Sequence, residues 1–263
     1  MCLIAFAWRA HPRWPLVMIA NRDEFHGRPA APAGFLADAP DVFGGIDLRA
    51  GGSWLLVSKR RRLAAITNVR VGLSAEAAPR SRGELVKAFA ASDASAAAFI
   101  AGIAPHAHDY GRFNLLLWDG AALHSVGNHP RFHAEAVVPG LHALSNADLD
   151  APWPKACRAT QALSEWMARL PGGESDDGAV PDTGALFDAL ADTTPAPDDA
   201  LPDTGVGIEL ERRLSPPFVR GDTYGTRCST LVLAACTSLA MIERRFGADG
   251  LREGEGRMVS CES

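Results

Sequence analysis

The chain has 263 residues, 47% apolar and 22% charged, which is enough apolar material for a substantial core and excludes a disordered chain, a collagen and a disulfide-dense miniprotein. Its net charge of −5 offers no electrostatic footprint for nucleic acid or an anionic membrane surface. The five cysteines are odd in number, widely spaced and contain no Cys-x-x-Cys pair, which points to a reducing, cytoplasmic setting rather than a zinc ribbon or a redox motif.

No signal peptide is expected, because the start lacks a basic n-region and Arg9, His11 and Arg13 interrupt its apolar run. Residues 3–7 read as a buried strand and 16–20 as a second. The two form a hairpin around a Pro-flanked turn at 11–15 and end on Asn21-Arg22-Asp23-Glu24. Gly51-Gly52-Ser53 leads into a strand at 54–57, the basic run 59–62 reads as a solvated hairpin tip, and 63–67 is the return strand. Ser81 and Glu84 have capping-box spacing, which predicts a helix start; a second short helix is expected at 94–101. Strands at 113–118 and 121–126 are joined by the turn pair Asp119-Gly120, with another strand at 141–144 and a helix over 154–170.

The segment 171–205 is rich in Pro, Gly, Asp and Thr and reads as a long surface stretch with one short helix near 183–190. Closing strands follow at 230–235 and 240–245. The longest apolar stretch, 231–242, is too short and mixed to span a bilayer. Strands at both ends with helices mainly between them predict an α+β fold. No linker separates two domains, so one domain over 1–263 is expected.

The residues that can carry chemistry begin at Cys2. Removal of Met1 would leave Cys2 with a thiol and a free α-amine on one carbon frame. An α-amine titrating at about 8 acts as a base near neutral pH, and a thiol beside a base is a nucleophile. In the hairpin reading, Asp23 lies near the start of the chain and orients that ammonium, while Arg22 favours the thiolate. Asn68 and Asn146 each end a strand, where a side-chain N–H can serve a developing oxyanion. Arg227 precedes an apolar strand and is suited to binding a carboxylate or steadying the nucleophile. Singly, each residue is explained as well by turn chemistry or an ordinary ion pair. His129 and His133 are spaced i, i+4, but Pro130 and the loop-like surroundings speak against a metal pair, and Gly44-Gly45 and Gly51-Gly52 lack the Lys-Ser/Thr of a phosphate loop. No cofactor or metal is expected.

Several motifs run in order along nearly the whole chain: Met1-Cys2, Asn21-Arg22-Asp23-Glu24, Thr67-Asn68-Val69-Arg70, Ser81-Arg82-Gly83, Phe113-Asn114-Leu115-Leu116, Leu144-Ser145-Asn146, Pro202-Asp203-Thr204-Gly205 and Tyr224-Gly225-Thr226-Arg227. On these residues the chain resembles the NRDE family, also called the transport and Golgi organisation family. That family resembles the N-terminal-nucleophile hydrolases of the conjugated bile acid hydrolase, penicillin V acylase and penicillin acyltransferase type.

The resemblance implies an αββα sandwich, two stacked antiparallel sheets between helix layers. It implies Cys2 as nucleophile and base, Asp23 as orienter of the amine, Asn68 and Asn146 at the oxyanion, and Arg227 as support for the thiolate. Asn21, Arg22, Arg70 and Tyr224, from the same motifs, are the implied substrate contacts. One position departs from the hydrolases, which usually carry an Arg three residues before the Asp. That position is Ala20 here, and Arg22 adjoins Asp23, so strand alternation puts its ability to replace the missing guanidinium in question.

The implied activity is a hydrolase or acyltransferase acting on a linear amide C–N bond. The rival implication is a haem, acyl-CoA or lipid carrier that uses the same cleft without turnover. The partner in either case is a small-molecule amide, acyl or haem-like ligand, with no nucleic acid and no transmembrane segment.

Overall fold

The computed structural model describes residues 2–73, 78–171 and 179–261, with the backbone alone at residues 2 and 261. In chain order the elements are β1 (Cys2–Trp8), β2 (Leu16–Phe25), β3 (Ala30–Leu36), β4 (Ala39–Asp47), β5 (Leu55–Ser58), β6 (Arg62–Asn68), α1 (Gly83–Ala91), α2 (Ala96–Ile103), β7 (Phe113–Trp118), β8 (Leu123–Gly127) and β9 (His133–Ala136). They continue as β10 (Gly140–Leu144), α3 (Pro154–Met167), α4 (Gly184–Leu190), α5 (Ile208–Arg213), β11 (Tyr224–Ala234), β12 (Ser238–Phe246) and β13 (Arg252–Cys261). The fold class is α+β, as expected. No helix among the described residues is long and apolar enough to cross a membrane.

The chain divides into two compact units, one of Met1–Gly27, Arg70–Ser74 and Pro139–Ser263, the other of Arg28–Val69 and Ala75–Val138. The first holds an antiparallel sheet in the order β10-β1-β2-β11-β12-β13. Leu3, Ala5, Val17, Ile19, Leu231 and Leu233 on one face pack against Ala156, Ala159 and Leu163 of α3 and Leu186, Phe187 and Leu190 of α4. Ile4, Phe6 and Met18, between them in sequence, are buried as well. Burial on both faces explains why β1 and β2 read as unbroken apolar runs instead of alternating ones.

The second unit is a seven-stranded antiparallel meander, β3 to β9 in sequence order. Leu85, Val86 and Phe89 of α1 cover Leu56, Ala64, Ile66, Leu115 and Leu117. The helix begins at Gly83 with only half of the capping box: Glu84 Oε1 accepts the Ser81 N–H at 3.2 Å, and no side chain caps the helix from Arg82. A Cβ at Gly52 would lie 2.4 Å from the Gly83 carbonyl carbon, so close backbone approach sets the helix start. Asp119-Gly120 makes the expected tight turn, with Gly120 at φ +90°.

Four strands and one helix escaped the sequence reading: β3, β4, β9, β13 and α5. Pro32 and Gly34 interrupt β3, an edge strand, and its pairing with β4 has two irregularities. Gly45 of β4 has no room for a side chain, because a Cβ would sit 2.3 Å from the Trp54 ring. β13 alternates Gly with charged residues at the other sheet's edge. Such edge strands lack the apolar pattern of a buried strand. Two other expectations need correction. Asn21-Arg22-Asp23-Glu24 lies inside β2 and does not end it, and Tyr224-Gly225-Thr226 belongs to β11.

The basic run turns between β5 and β6, but its last residue is not solvated. Arg62 is buried, with its guanidinium 4.1 Å from the Phe89 ring centroid, and donates to the carbonyls of Phe89 at 3.2 Å and Ala94 at 2.5 Å. Arg62→Ala is expected to lower stability by about 2 kcal/mol in urea denaturation, from lost packing and unmet carbonyls. Arg60→Ala, at an exposed pair with Asp93, should change it by no more than about 0.5 kcal/mol.

Candidate active site

The second half of β2 buries three polar residues in a row: Asn21, Arg22 and Asp23 are 1%, 7% and 1% exposed. Strand alternation puts Asn21 and Asp23 on the face of Val17 and Ile19, toward the layer of α3 and α4. Asn21 is held from three sides. Its Nδ2 donates to the carbonyls of Leu190 and Pro217, each at 2.8 Å, and its Oδ1 accepts from Ser229 Oγ at 2.6 Å.

Asp23 Oδ1 accepts from Thr226 Oγ1 at 2.7 Å, in strand register on β11. The same hydroxyl accepts the Val219 N–H at 2.9 Å, and the Thr226 N–H returns to the Val219 carbonyl at 2.8 Å. The Tyr224 hydroxyl donates to the Asp23 carbonyl at 3.3 Å. Burial pushes the Asp23 carboxyl above the usual carboxylate range; the charge of Lys155 and the Thr226 hydrogen bond oppose the rise. Lys155, in the first turn of α3, is 1% exposed and donates to the Leu214 carbonyl at 3.2 Å.

A second polar group surrounds Arg70. Its guanidinium donates to Glu211 Oε2 at 2.6 Å and lies 4.9 Å from the Trp153 ring. Glu211 Oε1 accepts both the N–H of Thr204, at 2.9 Å, and its hydroxyl, at 2.5 Å. The Arg70 N–H donates to the Asn146 carbonyl at 2.9 Å, and the Gly72 N–H to the Thr204 carbonyl at 2.7 Å. Burial depresses the Arg70 pKa, and the Glu211 carboxylate works against that.

A family model described as Transport and Golgi organisation 2 matches residues 1–248. The chain belongs to that family. A bovine Transport and Golgi organization protein 2 homolog is 34% identical over 251 residues, covering 89% of this chain and 88% of that protein. The human homolog is 33% identical over 250 residues, with the same shares. Among solved structures, the Caenorhabditis elegans ortholog of N-acylethanolamine-hydrolyzing acid amidase superposes with a TM-score of 0.52 at 9% identity, over 88% of this chain and 92% of that one. The C2A mutant of conjugated bile acid hydrolase from Clostridium perfringens gives 0.46 at 10% identity, over 100% and 97%. The likeness to the amidase shows a shared fold.

Within this family member, the motif residues separate by role. Asn21, Arg22, Asp23, Arg70, Asn146 and Tyr224 all lie in the first unit. The hydrogen bonds of Asn21 described above go to Leu190, Pro217 and Ser229, and that of the Arg70 guanidinium to Glu211. Asn146 is buried, and its Oδ1 accepts from Ser145 Oγ at 3.3 Å. Arg227 falls at the irregularity where the β11–β2 register skips from Thr226 to Cys228. Its guanidinium donates to the carbonyls of Phe25, His26 and Phe246, so it secures the end of β2. Asn68 is the last residue of β6 in the second unit, in register with Phe113. Cys2 begins β1, in register with Arg22; Met1 and the Cys2 side chain lie outside the described residues, as do 172–178 of the surface segment.

The register fixes where Arg22 lies relative to Ala20. Ala20 and Arg22 are two apart on β2 and therefore share a face, the one opposite Asp23. Arg22 thus presents a guanidinium on the Ala20 side of the strand, on the residue paired with Cys2. Sequence reasoning missed Lys155 and Glu211. Lys155 had a signal, because it falls four residues before Ala159 on the buried stripe of α3. Glu211 had none, since α5 is a six-residue charged helix. His129 and His133 share no helix, as His133 begins β9. Among the described residues no group of three or more His, Cys, Asp or Glu is placed to hold a metal ion.

Two outcomes are expected. Arg70→Met strands a buried Glu211 carboxylate and should cost about 3–5 kcal/mol in denaturant unfolding. The second concerns pH. A carboxyl whose folded pKa lies above its unfolded value binds its proton more tightly when folded. Stability is then greatest below the unfolded pKa and is lost as pH rises through the folded one. Melting temperatures of wild type and Asp23→Asn, measured from pH 4 to pH 8, should shift progressively in the variant's favour as pH rises. A gap independent of pH would contradict the raised Asp23 pKa.

Proposed function

We propose that the chain is an N-terminal cysteine hydrolase or acyltransferase acting on the C–N bond of a linear amide. One observation carries this reading: the buried carboxyl Asp23 adjoins Arg22, which is in strand register with Cys2 at the start of the chain. A carboxyl desolvated in a strand end is costly for folding alone and useful where an ammonium must be oriented. The fold shared with an N-acylethanolamine-hydrolyzing amidase supports an amide as the substrate class.

In this reading Met1 is removed and the Cys2 α-amine takes the thiol proton. The thiolate attacks the amide carbonyl carbon, and the side-chain N–H of Asn146 stabilises the oxyanion. The C–N bond then breaks, the α-ammonium gives its proton to the departing amine, and a thioester remains. Water or a second amine attacks the thioester and passes a proton to the α-amine, and the C–S bond breaks to return the thiolate. Asp23 orients the ammonium throughout, Arg22 favours the thiolate, and Tyr224 contacts the substrate.

The test is mass spectrometry of the full chain treated with 2-chloroacetamide near neutral pH, for wild type and Cys2→Ala. The untreated mass should lack Met1. A fast labelling phase is expected in wild type and absent from Cys2→Ala, with only slow labelling at the exposed thiols Cys157 and Cys236. Incubation with a panel of N-acyl amides should then release amine in wild type alone. Retained Met1, or Cys2 labelling no faster than Cys157, overturns the reading and leaves a carrier, in which Cys2→Ala keeps full ligand affinity.

A further inference from the structure

Lys155 is a buried cation to which the mechanism above assigns nothing. An ammonium that is 1% exposed needs an opposite charge nearby or gives up its proton. Three acidic residues of the first unit are buried among the described residues: Asp23, Glu211 and Glu243. Glu211 is taken by Arg70 and Thr204. Glu243 accepts from Thr230 Oγ1 at 3.2 Å and adjoins Ile242, which faces the α3–α4 layer, so Glu243 is on the other face of the sheet.

Asp23 is on the face that α3 covers. The segment that receives the Lys155 ammonium at Leu214 also runs along that end of β2. Asn21 bonds to it at Pro217, Thr226 exchanges two hydrogen bonds with it at Val219, and Thr226 in turn donates to Asp23.

We propose that Lys155 is a positioning residue for Asp23: its ammonium supplies the counter-charge that keeps the buried carboxyl ionised, so that Asp23 can hold the α-ammonium of Cys2. This rests on the hydrolase reading for its purpose, but not for the charge pairing itself. Lys155 is the foremost influence opposing the rise that burial imposes on Asp23. The other ionisable groups bearing on Asp23 are the α-amino group at the start of the chain, Arg22 beside Asp23 on β2, Arg70, and Tyr224 on β11. Arg70 is paired with Glu211, which leaves Lys155 as the cation contributed by α3.

The first arm of the test is the rate of Cys2 labelling by 2-chloroacetamide from pH 5 to pH 9, read by peptide mass mapping of the full chain. In Lys155→Met the acid limb should move up by about one pH unit, which lowers the rate at pH 6 about tenfold. Lys155→Arg keeps the charge and should retain the wild-type profile. Coincident profiles for wild type and Lys155→Met overturn the proposal.

The second arm does not use Cys2. Thermal unfolding at pH 7 of Asp23→Asn, Lys155→Met and the double variant should show a strong coupling. The double variant melts above the sum of the two single losses, because no unpaired charge is left buried. Recovery of folding in the double variant where Lys155→Met alone fails to fold is the same result. Additive losses overturn the proposal. A wild-type Cys2 that never labels fast overturns the hydrolase reading, and the unfolding cycle then decides the Lys155–Asp23 pairing by itself.

Discussion

A carboxyl group at the end of β2 has been taken almost entirely out of water, and much of the first unit is arranged around that fact. Desolvation opposes the charged form of Asp23. The compensation comes from elements distant in sequence. β11 pairs with β2 in a register that places Thr226 opposite Asp23, and the register then shifts at Arg227. The 214–219 segment is fastened to the same strand end by Asn21 and Thr226. The first turn of α3 contributes a buried lysine whose charge acts on the same carboxyl. None of these is needed to complete an apolar core, and each restricts where its neighbours can lie.

The Arg70–Glu211 pair does comparable work a short way along the chain. Buried ion pairs are weak contributors to net stability, but breaking one is expensive, so they select an arrangement more than they strengthen it. Here the pair joins a motif at 67–70 to the Thr204 turn through Glu211, while the Arg70 backbone joins it to Asn146. Residues of three motifs, the outer two more than a hundred residues apart, therefore meet through hydrogen bonds among themselves and one glutamate.

Family and fold do not by themselves assign a reaction. The superposition on the amidase has 9% identity, so chemistry must be argued from side chains at defined strand positions. Parity is the useful constraint. Asp23 and Asn21 point one way from β2, and Arg22 and Ala20 the other, so a carboxyl and a guanidinium lie on opposite faces of the strand beside the register position of Cys2. An adjacent Arg-Asp pair that looks redundant in one dimension is two separate groups on a strand.

Residues buried on both faces of a sheet or along a helix stripe declare themselves by composition and spacing, because burial restricts residue type whatever the neighbours are. On that basis the β1–β2 hairpin, β5 to β8, α3, α4 and the α+β class were legible from sequence alone, and the ordered motifs made the family legible as well. The edge strands β3, β9 and β13 were not, because a strand paired on one side and open to water on the other needs no apolar pattern. The roles inside the motifs were also beyond reach. Whether Asn21 or Arg70 faces a ligand or the frame depends on what the rest of the chain brings to its hydrogen-bonding atoms, and Leu190, Pro217 and Glu211 are local in space only. The sequence determined which residues had to be buried; the tertiary structure decided which buried polar groups were paired, because that pairing is settled between segments that share no sequence neighbourhood.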